Sequence, residues 1–436
     1  MKKFYTLIAL LLVLSMVALS QVTKYSYKFD KIFPDTSWHK SLGGHGVAVD
    51  PEGKVWFYYY SATDSIAIGG GKYSAIRNVH CYLPNGTKAS FSPLKTVTVA
   101  GKTDTLFNSS RGMQADANGN IVFSSFDAYY RVNYKTGAGM NKVIPLVNAT
   151  AIKPAFDASN DMFTGFVIPA TGGVNIFDKD FNSLGNTTPA LDTTRGYSRT
   201  LSVSKDGKDV YFCSYSPMYV LKVHSDNGAI GPYSKVDTLF QDLAVESIDW
   251  HPKTGYLWVS SGNLFAPCNG AKYTNFSFYA FKLPNYTTPV DSFTWNGDTS
   301  DDPRPRGIAF SPTGDTVYVT QFNSGTREIV QRFIGKATVG VQPEPGTVAR
   351  TFSLEQNYPN PFNPSTGIKF SVNNGGQTTL KVHSLLGREV STLVNERLNA
   401  GVYSVTFDAS NLPSGTYFYT LNVDGRQISK KMMLLK

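Results

Sequence analysis

This sequence predicts two all-β domains in tandem: a six-bladed β-propeller, then a small immunoglobulin-like β-sandwich. Three observations predict it. A phrase made of an alternating apolar stretch, a polar turn and a second apolar stretch recurs through the middle of the chain. The composition is rich in strand and turn formers, with 28 Phe, 25 Tyr, 38 Gly and 23 Pro among 436 residues. The last fifth of the chain holds short alternating segments of its own behind a Pro-rich lead-in, and the whole is too long for one ordinary domain.

Residues 1–20 read as a secretory signal peptide. Lys2 and Lys3 precede an apolar run from Phe4 to Leu19, and small residues at Ala18 and Ser20 end it. The run is shorter than the ~20 apolar residues of a spanning helix, so no transmembrane anchor is expected after cleavage. The chain is basic, with formal charge +9, but has no Lys/Arg block, and export keeps it from nucleic acid. Three cysteines, Cys81, Cys213 and Cys268, are too few for a disulfide framework, and buried free thiols are expected.

The propeller is assigned to residues 21–340. Its phrases are HGVAVDPEGKVWF from His45, RGMQADANGNIVF from Arg111, RTLSVSKDGKDVYF from Arg199, ESIDWHPKTGYLWV from Glu246 and RGIAFSPTGDTVYV from Arg306, with a weaker copy, IKPAFDASNDMFTGF, from Ile152. Period-two apolar residues bury one face of a hairpin, and Gly supplies the positive φ of its turn. Registered on Asp50, Asp116, Asp157, Ser204, His251 and Ser311, the copies lie 41 to 66 residues apart, the size of a four-stranded blade. An irregular copy near either terminus would make seven blades. In the long first interval, SAIRNVHCYLPNG and TVTVAGKTDTLF read as outer strands of blade 1. The phrases resemble the NHL, SMP-30/gluconolactonase and streptogramin-lyase-like propellers over roughly residues 40–335.

One column of the repeat precedes the first strand of each blade: His45, Arg111, Ile152, Arg199, Glu246 and Arg306. The innermost strand of a blade lines the central channel, so these side chains are expected to ring one mouth. In the gluconolactonase resemblance this column supplies acidic ligands to a divalent metal. Here only Glu246 has that character, and three guanidinium groups would repel a cation, so no cofactor is expected. The arginines instead suit an anion such as a carboxylate, a sulfate or an acidic sugar, held by forked charge-assisted bonds. The function expected is an extracellular binding protein for an anionic glycan or protein ligand. The alternative is a hydrolase or lyase of lactonase or streptogramin-lyase type, using Glu246 and His45. Bracing of loops by the arginines is the plainer structural reading. A calcium loop at Asp298, Asp301 and Asp302 and a sugar-stacking platform at Tyr58, Tyr59 and Tyr60 are weaker candidates.

Residues 341–350, Pro- and Gly-containing and without a strand pattern, read as a linker and a protease-accessible site. Residues 351–436 follow as the sandwich, with turns at Gly387, Gly401, Gly415 and Gly425. Its lead-in holds Asn357, Tyr358, Pro359, Asn360, Pro361, Phe362, Asn363 and Pro364. Each Asn-Pro step forces extended backbone and denies the ladder a donor, so a rigid, non-pairing segment anchored by Tyr358 and Phe362 is expected. NYPNPFNPST, LLGREVSTLV around Gly387, AGVYSVTFDASNLPSGTYFYTL and the ending KKMMLLK, with Lys430, Lys431 and Lys436, resemble the type A C-terminal sorting domain of type IX secretion cargo. That resemblance implies docking at an outer-membrane translocon, removal by a sortase-like peptidase, and a product secreted or held at the outer-membrane surface.

Overall fold

The computed structural model describes residues 22–34, 43–62, 64–168, 173–187, 197–216, 218–264, 266–297, 299–300, 302–322, 330–336, 338–339, 342–343, 349, 351–409 and 412–436. The signal-peptide segment, Asp298, Asp301 and most of the linker lie outside them. Contacts divide the chain into two compact units, one of Tyr25–Lys336 and the other of Ala337–Lys436 with Met1–Lys24.

The first unit is a ring of six antiparallel sheets. Blade 1 orders Gly44–Val49, Val55–Tyr59 and Val79–Tyr82; blade 2, Met113–Ala115, Ile121–Ser125, Ala128–Val132 and Gly139–Val143; blade 3, Ala155–Phe156, Met162–Thr164, Asn175–Phe177 and Ser183–Asn186. Blade 4 is Tyr197–Val203, Asp209–Ser216, Met218–His224 and Ser234–Leu239; blade 5, Ile248–Trp250, Leu257–Ser260, Ser277–Phe281 and Asp291–Thr294. Blade 6 takes Arg304–Phe310, Thr316–Phe322 and Val330–Gly335 from its own repeat and its outermost strand, Tyr27–Ile32, from the N-terminus. That borrowed strand closes the ring at six and hides its edges. Tyr27 drives the closure: its ring packs on Trp258 and Phe293 at 5.6 and 5.5 Å, and its hydroxyl meets His251 Nε2 at 2.9 Å.

The recurring turn works as the sequence implies. Gly53, Gly119, Gly207, Gly255 and Gly314 all take positive φ, and in blade 3 Asn160 does so at 70°. The registration residue caps each turn: Asp50 Oδ1 accepts from Glu52 N and Lys54 N at 3.0 and 2.9 Å, and His251 Nδ1 accepts from Lys253 N and Thr254 N at 3.2 and 3.0 Å. These aspartates serve their own backbone. Blade 1 departs from expectation. Val79–Tyr82 is its third strand, but Thr96–Val99 and Lys102–Thr105 pair with each other as a separate hairpin, and Lys142 of blade 2 ties that hairpin through Asp104 at 2.6 Å. Tyr58 and Tyr59 are wholly buried and offer no stacking surface. All three cysteines are free and buried.

The second unit stacks two four-stranded antiparallel sheets. One orders Gln342–Pro343, Gly401–Asp408, Ser365–Val372 and Ser353–Leu354, so part of the segment read as linker belongs to the sheet. The other orders Glu389–Leu398, Gly376–Ser384, Gly415–Val423 and Arg426–Leu434. Inward residues such as Ile368, Phe370, Val405, Leu380, Tyr419 and Leu421 alternate with solvent-facing ones and fill the core. Among the described residues no helix is long and apolar enough to cross a membrane.

Candidate functional site

The predicted column is set apart by a repeated backbone device. In blade 1 the ladder passes from Gly44 opposite Tyr59 to Gly46 opposite Tyr58 and leaves His45 out. Blade 4 skips Arg199 between Ser198 and Thr200, and blade 6 skips Arg306 between Pro305 and Gly307. A bulge of this kind adds one unpaired residue and re-aims its side chain. Blades 2 and 5 use a serine instead. Ser124 Oγ accepts from Arg111 N at 3.0 Å, and Ser260 Oγ accepts from both Glu246 N and Ser247 N at 2.9 Å. These serines escaped the sequence reading, although the Ser-Ser steps ending the second strands of both blades are a visible signal.

Five members of the column converge. Arg306 forms an ion pair with Glu246, and Asn263 Nδ2 donates to the other carboxylate oxygen at 2.9 Å. The Arg306 guanidinium lies over Phe322 at 4.9 Å and that of Arg111 over Tyr60 at 5.3 Å, while His45 packs on the same two rings at 4.5 and 4.9 Å. His45, Glu246 and Arg306 are 1%, 2% and 5% exposed; Arg111 and Arg199 are half-buried. Ile152, the sixth member, is apolar and fully buried.

Electrostatics report the same convergence. Burial, then Arg306, Arg111 and Arg199, hold His45 far below the ordinary imidazole range, so it is neutral near pH 7. Burial pushes Arg306 down to about 9, an effect that Glu246 opposes and that Arg199, Arg304 and Arg111 reinforce. The column thus places three guanidinium groups, one carboxylate and a neutral imidazole in one cup. Within the column three guanidinium groups stand against one carboxylate, in a setting where burying charge is costly. Among the described residues no group of three or more His, Cys, Asp or Glu is placed to hold a metal ion.

In the second unit, the Pro-rich segment is stitched to both sheets. Asn357 is buried: Nδ2 donates to Pro359 O and Thr366 Oγ1 at 3.1 and 2.9 Å, and its N–H donates to the Tyr419 hydroxyl at 2.8 Å. Asn360 Oδ1 accepts from Met433 N at 2.9 Å, Phe362 N donates to Met433 O at 3.0 Å, and Pro364 O accepts from Ala409 N at 3.0 Å. Phe362, 2% exposed, is the anchor, packing on Phe407. Tyr358 is 76% exposed and anchors nothing, and its backbone pairs with Gly367 in both directions at 2.9 Å. The expectation of two anchors on a non-pairing segment is corrected for one reason: the pairing gives the segment a strand's alternation, turning Asn357 inward and Tyr358 out.

Residues 356–435 match the family model described as the secretion system C-terminal sorting domain. The C-terminal unit is a type IX sorting domain. It marks the protein for export, to be secreted or attached at the outer-membrane surface. Within the sorting domain, Gly387 turns the tip between Gly376–Ser384 and Glu389–Leu398 with φ 76°. Lys430 and Lys431 lie on the last strand, and Lys436 N donates to Ser414 Oγ at 3.0 Å. Ladder ends at Ser365 with Asp408, Ser384 with Tyr417, and Gly415 with Leu434 gather the Pro-rich segment, the Gly387 tip and the C-terminus at one end. Leu386, 94% exposed, stands there with Leu385, Tyr358 and Leu435. The chain enters at the other end, where Ser353 pairs with Ser371 and Gln342 with Ser404.

Solved structures similar to the chain include regucalcin, a calcium-binding protein from Agrobacterium tumefaciens, at 14% identity and TM-score 0.47, covering 72% of this chain and 95% of that one. A putative 6-phosphogluconolactonase from Bacteroides fragilis follows at 12% and 0.40, covering 67% and 84%. The extracellular domain of a putative hybrid two-component system from B. thetaiotaomicron stands at 11% and 0.40, covering 95% and 60%. None of these likenesses bears on activity. No curated protein sequence matches the chain.

Proposed function

We propose that the propeller is the exported passenger and that it binds an anionic ligand in the arginine cup. The observation that carries this reading is the charge of the column: Arg111, Arg199 and Arg306 stand against Glu246 alone, with His45 held neutral. Glu246 pairs with Arg306, and Arg111 and Arg199, the more exposed of the three, are the donors proposed for a carboxylate, sulfate or acidic sugar. Calorimetric titration with sulfate, glucuronate and galacturonate tests it. Binding that weakens at least tenfold in Arg199→Ala and fades with added salt is expected. Stabilisation by divalent metals and by none of these anions would reverse the reading in favour of a metal-dependent enzyme.

Residues 1–20 are the signal that takes the chain across the inner membrane. The outer-membrane machinery then reads the end that exposes Tyr358, Leu385, Leu386 and Leu435, and a sortase-like peptidase cuts within residues 341–350. The exposure of four large apolar side chains at the end opposite the chain's entry supports this.

A further inference from the structure

Below the arginine cup the channel is shut. Gln114 of blade 2 reaches Asp249 of blade 5, its Nε2 lying 3.4 and 3.5 Å from Oδ1 and Oδ2. Blades 2 and 5 stand opposite in a ring of six, so this contact crosses the axis. Lys153 of blade 3 also reaches blade 5, donating from Nζ to Ile248 O at 2.9 Å and lying 3.7 Å from Asp249 Oδ2. Bare backbone makes room for it: a Cβ on Gly112 would meet Lys153 Cβ at 2.5 Å. The plug leaves a second, dead-end cup at the opposite mouth.

That lower cup holds a cavity of about 420 Å³ with Gln114 and Asp249 at its end and Trp250 and Phe310 in its wall. A side pocket of about 170 Å³ shares Gln114, Asp249 and Trp250 and adds Lys153. The space exists because Ala48, Ala155, Ser202 and Ala309 stand where blades 2 and 5 carry Gln114 and Asp249. The larger cavity alone falls in the size range of small-molecule sites, about 300–1,000 Å³.

The end of the cup mixes hydrogen-bonding roles. Asp249 accepts, Lys153 donates, and Gln114 does both. The Gln114 contacts to Asp249 sit at the outer limit of hydrogen-bond length, the Lys153 ion pair is longer still, and Gln114 Oε1 is buried with no hydrogen-bond partner among the described residues. An anion would meet Asp249 and an organic cation would meet Lys153, whereas a neutral polyol offers donors and acceptors to both. The Trp250 indole N–H is already held by Val203 O at 2.8 Å, which pins the ring beside the cavity.

We propose that the lower cup binds a neutral sugar ring, laid against Trp250 with its hydroxyls bonded by Asp249, Gln114 and Lys153. The site shares no residue with the arginine cup, so either can fail without the other.

The test is calorimetric titration of the full chain with D-glucose, D-galactose, D-mannose and N-acetyl-D-glucosamine. At least one is expected to bind. Trp250→Phe and Asp249→Asn should each weaken that binding at least tenfold, and Arg199→Ala should leave it unchanged. Ala115→Leu narrows the same cavity without touching its polar end and should also weaken binding tenfold, so a folding defect in Asp249→Asn does not spoil the result. Absence of binding by all four sugars at 20 mM, at the weak end of affinities, or binding indifferent to both Trp250→Phe and Ala115→Leu, overturns the proposal.

Discussion

Substituting Glu246 by Gln removes the carboxylate from the arginine cup and leaves its shape. The Arg306 guanidinium, 5% exposed and paired with Glu246, then keeps its charge with no counter-charge in the column. Breaking one side of a buried pair costs about 3–5 kcal/mol. Gln retains the volume and the bond from Asn263 Nδ2, so the lower figure, about 3 kcal/mol, applies. For a domain of this size each kcal/mol moves Tm by about 2 °C, giving a fall of about 6 °C in the propeller transition. The variant's cup also gains a unit of positive charge, so 50 mM sulfate should raise its Tm more than the wild type's. Adding Arg306→Met restores packing without charge and should recover most of the loss. Differential scanning calorimetry of the three proteins decides. An unchanged or higher Tm in Glu246→Gln would refute the claim that Glu246 compensates the buried charge of Arg306.

Other outcomes follow from the same geometry. Phe362→Ala opens the sandwich core and should destabilise the sorting domain by about 3–5 kcal/mol, whereas Tyr358→Ala stays within about 0.5 kcal/mol; urea midpoints separate them. Leu385→Ser with Leu386→Ser leaves the sorting domain's stability unchanged but should stop export in cells, and normal secretion would show that the Gly387 tip is not read. Burial holds His80 and His251 at about 4, against ~6.5 for a free imidazole. Between these values the unfolded chain binds protons that the folded chain does not. Stability is therefore full above pH 6.5 and falls as the pH drops toward 4, and a urea midpoint flat from pH 7 to 5 would contradict the burial of these rings.

Much of the fold was legible because its rules are local. Alternation at Val47 and Val55, a glycine at positive φ and a self-capping residue such as Asp50 write each hairpin into a short span of chain. Repetition of that span predicts a closed ring. The signatures of the sorting domain, NYPNPFNPST among them, are local too. The sequence also named the column His45, Arg111, Arg199, Glu246 and Arg306, since the register of the repeat aligns these positions, but it set the column ahead of the inner strands, whereas His45, Arg199 and Arg306 lie within theirs as bulged residues.

What the tertiary structure decided depends on contacts between distant parts of the chain. Ring closure at six rests on Tyr27–Ile32 pairing with Val330–Gly335, some three hundred residues away. The bulges that set His45, Arg199 and Arg306 apart arise from a one-residue mismatch between strands, which no single strand reveals. The partnership of Arg306 with Glu246, the bridge from Gln114 to Asp249 and the outward turn of Tyr358 likewise exist only once strands are paired and blades are set around an axis. A sequence carries periodicity along one dimension; charge compensation, plugging and exposure are properties of the three-dimensional neighbourhood.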